Sequence, residues 1–257
     1  LTLLASAVIL RRSSKTLFYS SLLAALTNVA IGIDAFLIEP HALQVSRLSL
    51  TSPKISQPVR IVLLADMQMK EVGAYERAAL RTALEQNPDL ILFAGDYLQL
   101  TDQDDHARLR KELSEYLSSI HFMARLGVYA VPGNVDPPGW TDIFRPVGAT
   151  VFPTTKSIEI GELAITGLTL RDSFDAALQI PAAHQRFHIV LGHAPDFALG
   201  SIDADLLVAG HTHGGQVVLP LIGPLLTLSA VPKDWASGRT ELSRGRTLVV
   251  SRGVGME

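Results

Sequence analysis

The sequence predicts an α/β domain that follows an apolar amino-terminal segment. Two near-continuous apolar runs, Arg60–Ala65 and Asp89–Ala94, are typical of strands that are covered on both faces. Between them, Ala74–Gln86 has apolar residues at helical spacing, so the three elements predict a right-handed strand–helix–strand unit. A later apolar run leads into Leu207–Val218, a stretch that holds two histidines and three glycines.

Composition limits the function classes. The chain has 257 residues, of which 47% are hydrophobic and 18% charged, enough for one sizeable domain with a buried core. The net charge of -3 shows no basic surplus, so no nucleic-acid partner is expected. There are no cysteines, which excludes disulfides and thiolate metal sites and leaves any metal to Asp, His, Asn and Gln.

The amino terminus predicts a membrane anchor over residues 1–40. Thr16–Ile33 contains 18 residues without a charge, and a membrane-spanning helix needs about 20 apolar residues, so we expect a span at Thr16–Ile38. Arg11, Arg12 and Lys15 precede it, which places this end in the cytoplasm and the rest of the chain outside. Leu1–Leu10 is interpreted as the tail of an earlier span.

The alternatives to a membrane anchor are a signal peptide and a buried helix. A signal peptide is disfavoured because the apolar run is too long and no small-residue cleavage site follows it. A buried helix in a soluble cytoplasmic protein stays open. The rest of the chain, 41–257, is predicted to be one globular domain, and because no closing element precedes Glu257 we expect it to be truncated there.

The remaining elements follow the same patterns. Leu109, Leu113 and Leu117 at helical spacing predict a helix within Thr101–Leu126. A short helix is expected at Asp172–Leu178 and a loop or hairpin at Leu219–Leu228. Strands are predicted near Arg47–Thr51 and at Gly127–Val131, Thr150–Phe152, Ser157–Ile160, Leu163–Leu170, Phe187–Leu191, Ala204–Ala209 and Thr247–Ser251. Trp140 follows a proline-rich loop and is interpreted either as a cover for a substrate or as ordinary core.

Polar residues follow five of the predicted strands. They are Asp66, Asp96, Asn134, His193, and His211 with His213. Ligands of open α/β sheets bind at the carboxyl ends of the strands, so we expect these side chains to share one edge. In extended backbone His211 and His213 project to the same side while Thr212 points away. The alternative to a shared ligand site is that His211 and His213 are solvated side chains in a polar turn.

These residue types suit two divalent cations, because they offer oxygen and imidazole nitrogen but no sulfur. Asp96 is the most natural bridge between two ions roughly 3.5–4 Å apart, the spacing that clamps a phosphoryl group. A coordinated water of lowered pKa then serves as the nucleophile, so no serine or cysteine nucleophile is needed.

The spaced set of motifs resembles that of the calcineurin-like metallophosphoesterases. The motifs are Asp66-x-Gln68, Gly95-Asp96, Gly133-Asn134-Val135-Asp136, Gly192-His193 and Gly210-His211-Thr212-His213. With its predicted anchor, the chain is similar to the membrane-anchored bacterial branch. The resemblance implies a four-layer sandwich of two mixed β-sheets flanked by helices, with two divalent metal ions (Mn, Fe, Zn or Mg).

The resemblance also implies ligand sets and roles. The first metal would take Asp66, Gln68, Asp96 and His213, and the second Asp96, Asn134, His193 and His211. Asp96, Asn134, Asp136 and His193 are the residues expected to act in catalysis.

Two positions depart from the family pattern. Gln68 stands where the family has histidine, and it is a weaker donor for the first metal. Val135 replaces the histidine that is credited with protonating the leaving group, which leaves Asp136 without a histidine to orient.

The predicted function is hydrolysis of phosphate esters. Phosphodiester and pyrophosphate bonds are favoured, because their leaving groups need no general acid. Since the predicted anchor would hold the site close to a bilayer, lipid-linked substrates are also expected. The alternative is a pseudoenzyme, a metal-binding module that has lost turnover, for which Gln68 and Val135 are the supporting features.

Overall fold

The structure is a computed structural model, which describes residues 15–33, 43–100, 103–215, 218–219, 223–224 and 227–255. The chain divides into two compact units, Leu1–Ser46 and Arg47–Glu257. The predicted earlier span at 1–10 and the last residues of the predicted span at 16–38 lie outside the described residues.

The first unit contains one described helix, α1 (Lys15–Ile33). In the described part of the chain, no helix is both long and apolar enough to cross a membrane. The transmembrane helix predicted at Thr16–Ile38 is therefore not supported. Polar residues interrupt the apolar surface of α1, and Ser20 and Asn28 turn back to donate hydrogen bonds to the carbonyls of Thr16 and Ala24.

The second unit alternates strands with helices and turns. Its helices are α2 (Ala74–Glu85), α3 (Gln103–Ser119) and the short α4 (Leu170–Ser173). Its strands are β1 (Ile61–Leu64), β2 (Leu90–Phe93), β3 (Val128–Ala130), β4 (Thr150–Val151), β5 (Lys156–Ile160), β6 (Leu163–Gly167), β7 (Gln179–Ile180), β8 (Phe187–Leu191), β9 (Ser201–Ile202), β10 (Leu206–Ala209), β11 (Val218–Leu219), β12 (Gly223–Pro224), β13 (Gly238–Glu241) and β14 (Thr247–Val250). In the described part of this unit, 3₁₀ helices lie at Trp140–Val147, Pro195–Leu199, Lys233–Trp235 and Ser243–Gly245.

The first sheet has the order β1-β2-β3-β4, and its strands run parallel. Helix α2 connects β1 to β2, as the strand–helix–strand pattern predicted. Leu90 and Leu92 point to one face of β2 and join the inner core, whereas Phe93 packs against Phe122 on the other side. Strands β2 and β3 are buried on both faces, which explains their uninterrupted apolar runs.

The second sheet is mixed and has the order β13-β14-β10-β8-β6-β5. Its four inner strands are parallel, and its edge strands β13 and β5 pair antiparallel with their neighbours. Strand β13 had not been predicted, because its residues Gly238–Glu241 are mostly polar and half-exposed or exposed, as suits an edge.

The main core lies between the two sheets. Leu92 from the first sheet and Ile165, Ile189 and Val208 from the second belong to one buried cluster. A second cluster covers the other face of the second sheet, where Val190 and Leu207 pack with Phe197 of a 3₁₀ helix. The predicted architecture of two sheets with helical outer cover is thus confirmed at the level of the α/β fold.

Two local predictions are wrong, and one open alternative is decided. No strand forms near Arg47–Thr51, and the short helix expected at Asp172–Leu178 begins and ends earlier, at Leu170–Ser173. Thr169 decides the second case, because its hydroxyl caps the helix by accepting a hydrogen bond from the Asp172 N–H at 3.1 Å. Trp140 is core, since it stacks on Tyr97 with ring centroids 5.6 Å apart.

Candidate metal centre

The site forms where strands of both sheets end at a common edge. Asp66 follows β1, Asp96 follows β2, and His193 follows β8. Backbone hydrogen bonds tie these turns together: the N–H of Asp66 donates to the carbonyl of Gly95 at 3.0 Å, and the N–H of Gly210 donates to that of His193 at 2.8 Å. The shared edge predicted from the strand order is therefore present.

The turns at this edge have unusual backbone conformations. Positive φ angles are found at Asp66 (51°), Gln68 (42°), Asp96 (58°), His211 (71°) and His213 (48°). The left-handed region is uncommon for residues other than glycine and costs of order 1–3 kcal/mol where the surroundings impose it. Such conformations concentrate where side chains are held for function. The two histidines therefore lie in a tight turn and not in the extended backbone that was predicted.

Asp66, Asp96 and His193 form the centre of the site. One potential ligand atom from each lies within 4.8 Å of those of the other two. His193 Nε2 is 3.4 Å from Asp96 Oδ2, and Nδ1 is 3.9 Å from Asp66 Oδ1. All three residues are buried, with exposed fractions of 0%, 1% and 0%. Two carboxylates in so dry a place require a positive partner.

The pKa values reflect this crowding. Burial raises the pKa of Asp66 to about 6, although His193 and His213 oppose the shift. For His193, burial lowers the pKa, but the hydrogen bond and the charge of Asp96 outweigh it and raise the pKa to about 9. Burial alone would raise the pKa of Asp96, but the hydrogen bond and the charge of His193 hold this pKa below its usual value. The two buried carboxylates thus favour a positive charge at this position.

His193 is oriented in the manner of a metal-binding histidine. Its Nδ1 lies 2.7 Å from the carbonyl oxygen of Ala94, so this nitrogen carries the proton and donates. Nε2 then faces Asp96 and lies 2.7 Å from Oδ1 of Asn134. A backbone carbonyl on one ring nitrogen commonly fixes the tautomer that presents the other to a metal.

Asp136 holds two of the turns together. Its carboxylate accepts hydrogen bonds from the backbone N–H groups of Gly133 (2.7 Å), Asp96 (2.9 Å) and Tyr97 (2.6 Å). Burial, followed by the charge of Asp96, raises its pKa to about 6. Since its oxygens are engaged by the backbone, Asp136 is a positioning residue in this structure. The catalytic role expected for it from the sequence stays a prediction.

His211 and His213 approach the centre from the second sheet. The backbone N–H of His211 donates to both oxygens of Asp66, at 3.0 and 2.9 Å, and its ring centroid lies 5.0 Å from that of His193. Thr212 is buried and donates to the carbonyl of Ala236, so it points away from the site as predicted. Neither histidine belongs to the 4.8 Å cluster of Asp66, Asp96 and His193.

Residues 59–215 match the sequence signature of the calcineurin-like phosphoesterases, over more than half of the chain. The chain belongs to this family. The uncharacterized metallophosphoesterase YkuE of Bacillus subtilis is 29% identical over 238 residues, covering 85% of this chain and 81% of that one. The phosphodiesterase YaeI of Escherichia coli is 28% identical over 213 residues, covering 77% and 76%. Among solved structures, the E. coli phosphoesterase YfcE aligns with a TM-score of 0.40 and 15% identity, over 77% of this chain and 81% of that chain.

The residues of this phosphoesterase fit divalent metal ions, which the family uses. Carboxylate and amide oxygens stand beside imidazole nitrogens, the donor set of cations of intermediate hardness. Nδ1 of His213 is buried and has no hydrogen-bond partner in the described part of the chain. A buried polar nitrogen is costly unless something binds it, and a cation is the partner that the neighbouring Asp66 would share. The chain is a metal-dependent hydrolase of phosphate esters.

The sequence did not predict every residue around the phosphoesterase centre. Phe174 packs edge-on against the ring of His211 with centroids 4.9 Å apart, and the carbonyl of Leu228 lies 3.2 Å from His211 Nε2. The segment Ser251–Gly255 also lines the site, and its residues were not among the predicted site residues. Gly253, which has the positive φ of 86° that glycine adopts readily, was the available signal for a special turn there.

Proposed function

We propose that this phosphoesterase hydrolyses phosphodiester or pyrophosphate bonds with two divalent cations. The observation that carries the proposal is the buried cluster of Asp66, Asp96 and His193, whose ligand atoms lie within 4.8 Å of one another. When bound, such cations supply Lewis acidity and a water of lowered pKa. Mn, Fe, Zn and Mg all suit this donor set, and Mn is our first choice for reconstitution.

The ligand assignment is part of the proposal. Asp66, Gln68, Asp96 and His213 would hold the first cation, and Asp96, Asn134, His193 and His211 the second. The central position of Asp96 supports its role as the bridge: Oδ2 faces His193 Nε2 at 3.4 Å, while Oδ1 accepts a hydrogen bond from the Val135 N–H at 2.9 Å. The hydrogen bond from Val135 fixes the orientation of the Asp96 carboxylate.

The preference for diesters and pyrophosphates rests on the turn Gly133–Asp136. Val135 occupies the position where the family has the histidine that protonates the leaving oxygen. Asp136 accepts three backbone hydrogen bonds, so it is not placed to supply this proton instead. A leaving group that is stable as an anion does not need the proton.

Lipid-linked substrates are the finer part of the proposal. Beside His211, the side chains of Leu228 and Phe174 are 61% and 38% exposed, so an apolar surface borders a proposed metal ligand. Helix α1 also exposes large apolar side chains: Leu17, Tyr19, Leu23, Leu26, Val29 and Ile31. We propose that α1 associates with a lipid bilayer through this apolar surface. The extracytoplasmic location of the domain stays a prediction from the sequence, in which Arg11, Arg12 and Lys15 precede the apolar segment.

The membrane proposal has a direct test, because the chain has no native cysteine. A cysteine introduced at the exposed position Glu115 is treated in intact cells with an impermeant thiol reagent. Labelling in intact cells is expected, and labelling that requires lysis would contradict the extracytoplasmic location. Flotation with anionic vesicles, compared for the full chain and a Leu23→Glu variant, tests the association of α1 with lipid.

Turnover is the test of the proposed reaction. The purified full chain is stripped with a chelator, reconstituted separately with each of the four cations and analysed for metal content. A panel of bis(p-nitrophenyl) phosphate, an alkyl monoester, a pyrophosphate diester and a lipid-linked pyrophosphate is then assayed. We expect metal-dependent hydrolysis of the diester and pyrophosphate substrates. Two bound metals without turnover of any substrate would favour the pseudoenzyme, the alternative that Val135 supports.

A further inference from the structure

The segment Ser251–Gly255 runs from the second sheet to the first across the metal edge. The N–H of Ser251 donates to the carbonyl of Ala209 at 2.9 Å, next to β10. The N–H groups of Val254 and Gly255 donate to the carbonyls of Ala65 and Asp66, at 3.0 and 2.8 Å, next to β1. This segment lies beyond the part of the chain that matches the family signature, which ends at residue 215.

The middle of this segment packs directly on two proposed ligands. A Cβ atom placed at Gly253 would lie 3.0 Å from Cβ of Asp66 and 3.2 Å from Nδ1 of His213. Both distances are tight, so glycine is the residue that lets the backbone approach so closely. Arg252 is the preceding residue, about 3.8 Å away between Cα atoms. The backbone therefore holds Arg252 at the rim of the metal centre.

The side chain of Arg252 is exposed and lies over the histidine turn. A Cβ atom placed at Gly214 would be 3.2 Å from Cγ and 3.5 Å from Nε of Arg252. Among the described residues, the guanidinium has no ion-pair or hydrogen-bond partner. Arg77 and Arg125, by contrast, are paired with Glu112 and Asp89.

We propose that Arg252 binds the anionic oxygens of the substrate's phosphate group at the mouth of the metal centre. A guanidinium offers parallel N–H groups that match two phosphate oxygens and stays charged at every working pH. A free guanidinium beside a site for phosphate esters is placed to use that geometry. This inference rests on the proposed function for its substrate class. It adds a specific cationic contact, which is supplied by a residue outside the family's metal motifs.

The test compares Arg252→Ala, Arg252→Lys and Arg81→Ala in the metal-reconstituted full chain. Arg81 is the matched control, because it is exposed on α2 and likewise has no ion-pair or hydrogen-bond partner among the described residues. Calorimetry measures the dissociation constant of inorganic phosphate, and metal analysis and thermal unfolding confirm that each variant is loaded and folded. Steady-state assays with bis(p-nitrophenyl) phosphate give kcat and KM.

Arg252→Ala is expected to weaken phosphate binding about 10- to 100-fold, the usual effect of losing a charged hydrogen bond. Arg252→Lys should retain part of the affinity, because lysine keeps the charge but lacks the parallel N–H groups of the guanidinium. Arg81→Ala should match the wild type. The inference is overturned if Arg252→Ala binds phosphate like Arg81→Ala, or if the loaded wild type binds no phosphate. Failure of the wild type to hydrolyse any ester would refute the proposed function separately, since phosphate binding is measured without turnover.

Discussion

Asp136 accepts a hydrogen bond from the backbone N–H of Asp96 at 2.9 Å. A residue of the turn after β3 therefore fixes the backbone of Asp96, the proposed bridging ligand, in the turn after β2. The Asp136 carboxylate also accepts from Gly133 and Tyr97. Because Asp96 has a positive φ of 58°, its backbone needs such support to keep its conformation. The two turns therefore behave as one unit, and the geometry of the ligand depends on a residue that need not touch the metal.

The first prediction follows from this contact. Asp136→Ala leaves three backbone N–H groups without their acceptor, which we expect to lower the free energy of unfolding by about 2–4 kcal/mol and to weaken metal binding. Chemical denaturation and metal titration measure the two effects. Asp142→Ala is the control, because Asp142 forms a surface ion pair with Arg145, and such pairs contribute roughly 0–1 kcal/mol. Equal effects of the two substitutions would contradict the proposed role of Asp136.

The second prediction concerns metal stoichiometry. If Asp96 bridges two ions, Asp96→Ala removes both, whereas His213→Ala mainly removes one. Elemental analysis of protein reconstituted with excess Mn gives the number of ions per chain, and Asp203→Ala serves as a control at the far end of the strand that leads to His211. A wild-type metal content in the Asp96 variant would show that the bridging assignment is wrong.

The clustering of Asp66, Asp96 and His193 could be predicted from the sequence because it depends on strand order. Apolar runs mark strands, parallel strands end at one edge, and Asp66, Asp96 and His193 each follow such a run. The backbone conformation of the turns that hold these residues could not be predicted. Nothing in the spacing of His211 and His213 shows that both adopt positive φ, because residues other than glycine reach that conformation only under tertiary constraint.

The contacts of Asp136 and of Ser251–Gly255 could not be predicted for a different reason. Each joins strands that are distant in sequence: Asp136 contacts the turn after β2, and Val254 donates to Ala65 after β1. Local patterns report local structure, so they identify neither the partner nor the distance. Trp140 illustrates the same limit, since its loop suggested exposure, whereas packing on Tyr97 buries it.

The third prediction concerns stability at acidic pH and involves His188. Burial, the largest cause, lowers the pKa of His188, with Lys54 acting in the same direction and Asp203 and Asp205 opposing. Its ring nitrogens lie 2.7 Å from the Thr166 hydroxyl and 3.0 Å from the Asp203 carbonyl. Because the folded pKa is below the unfolded one, the unfolded chain takes up the proton first. Stability is therefore fully present above the unfolded pKa near 6.5 and is lost as the pH falls through the folded pKa.

Denaturant unfolding between pH 7.5 and 5 checks this prediction in wild type, His188→Gln and His121→Gln, where His121 is exposed. The free energy of unfolding should fall less steeply with acidification in His188→Gln than in wild type. His121→Gln should keep the wild-type slope. Parallel slopes for all three proteins would show that another group governs the acid sensitivity.

The last prediction concerns the missing general acid. Val135 is half-buried in the turn that contacts the bridging carboxylate, since its N–H donates to Oδ1 of Asp96 at 2.9 Å. A histidine side chain introduced here would start from the position that the family uses for protonation of the leaving oxygen. General acid catalysis typically accelerates a reaction 10²–10⁴-fold. The acceleration is small when the leaving group is already stable as an anion. Val135→His should therefore raise kcat/KM for an alkyl monoester by about 10-fold or more and leave bis(p-nitrophenyl) phosphate nearly unchanged.

Val135→Ala separates the effect of the imidazole from that of removing the valine. If only the added acid matters, the alanine variant keeps the wild-type preference for activated substrates, whereas the histidine variant loses part of it. The acid should also produce a new limb in the pH–rate profile for the alkyl substrate, because the imidazole must be protonated to donate. A wild-type enzyme that already prefers unactivated monoesters, with no response to Val135→His, would mean that another group supplies the proton. Substitution of Asp136 and of His184 would then test whether either residue supplies it.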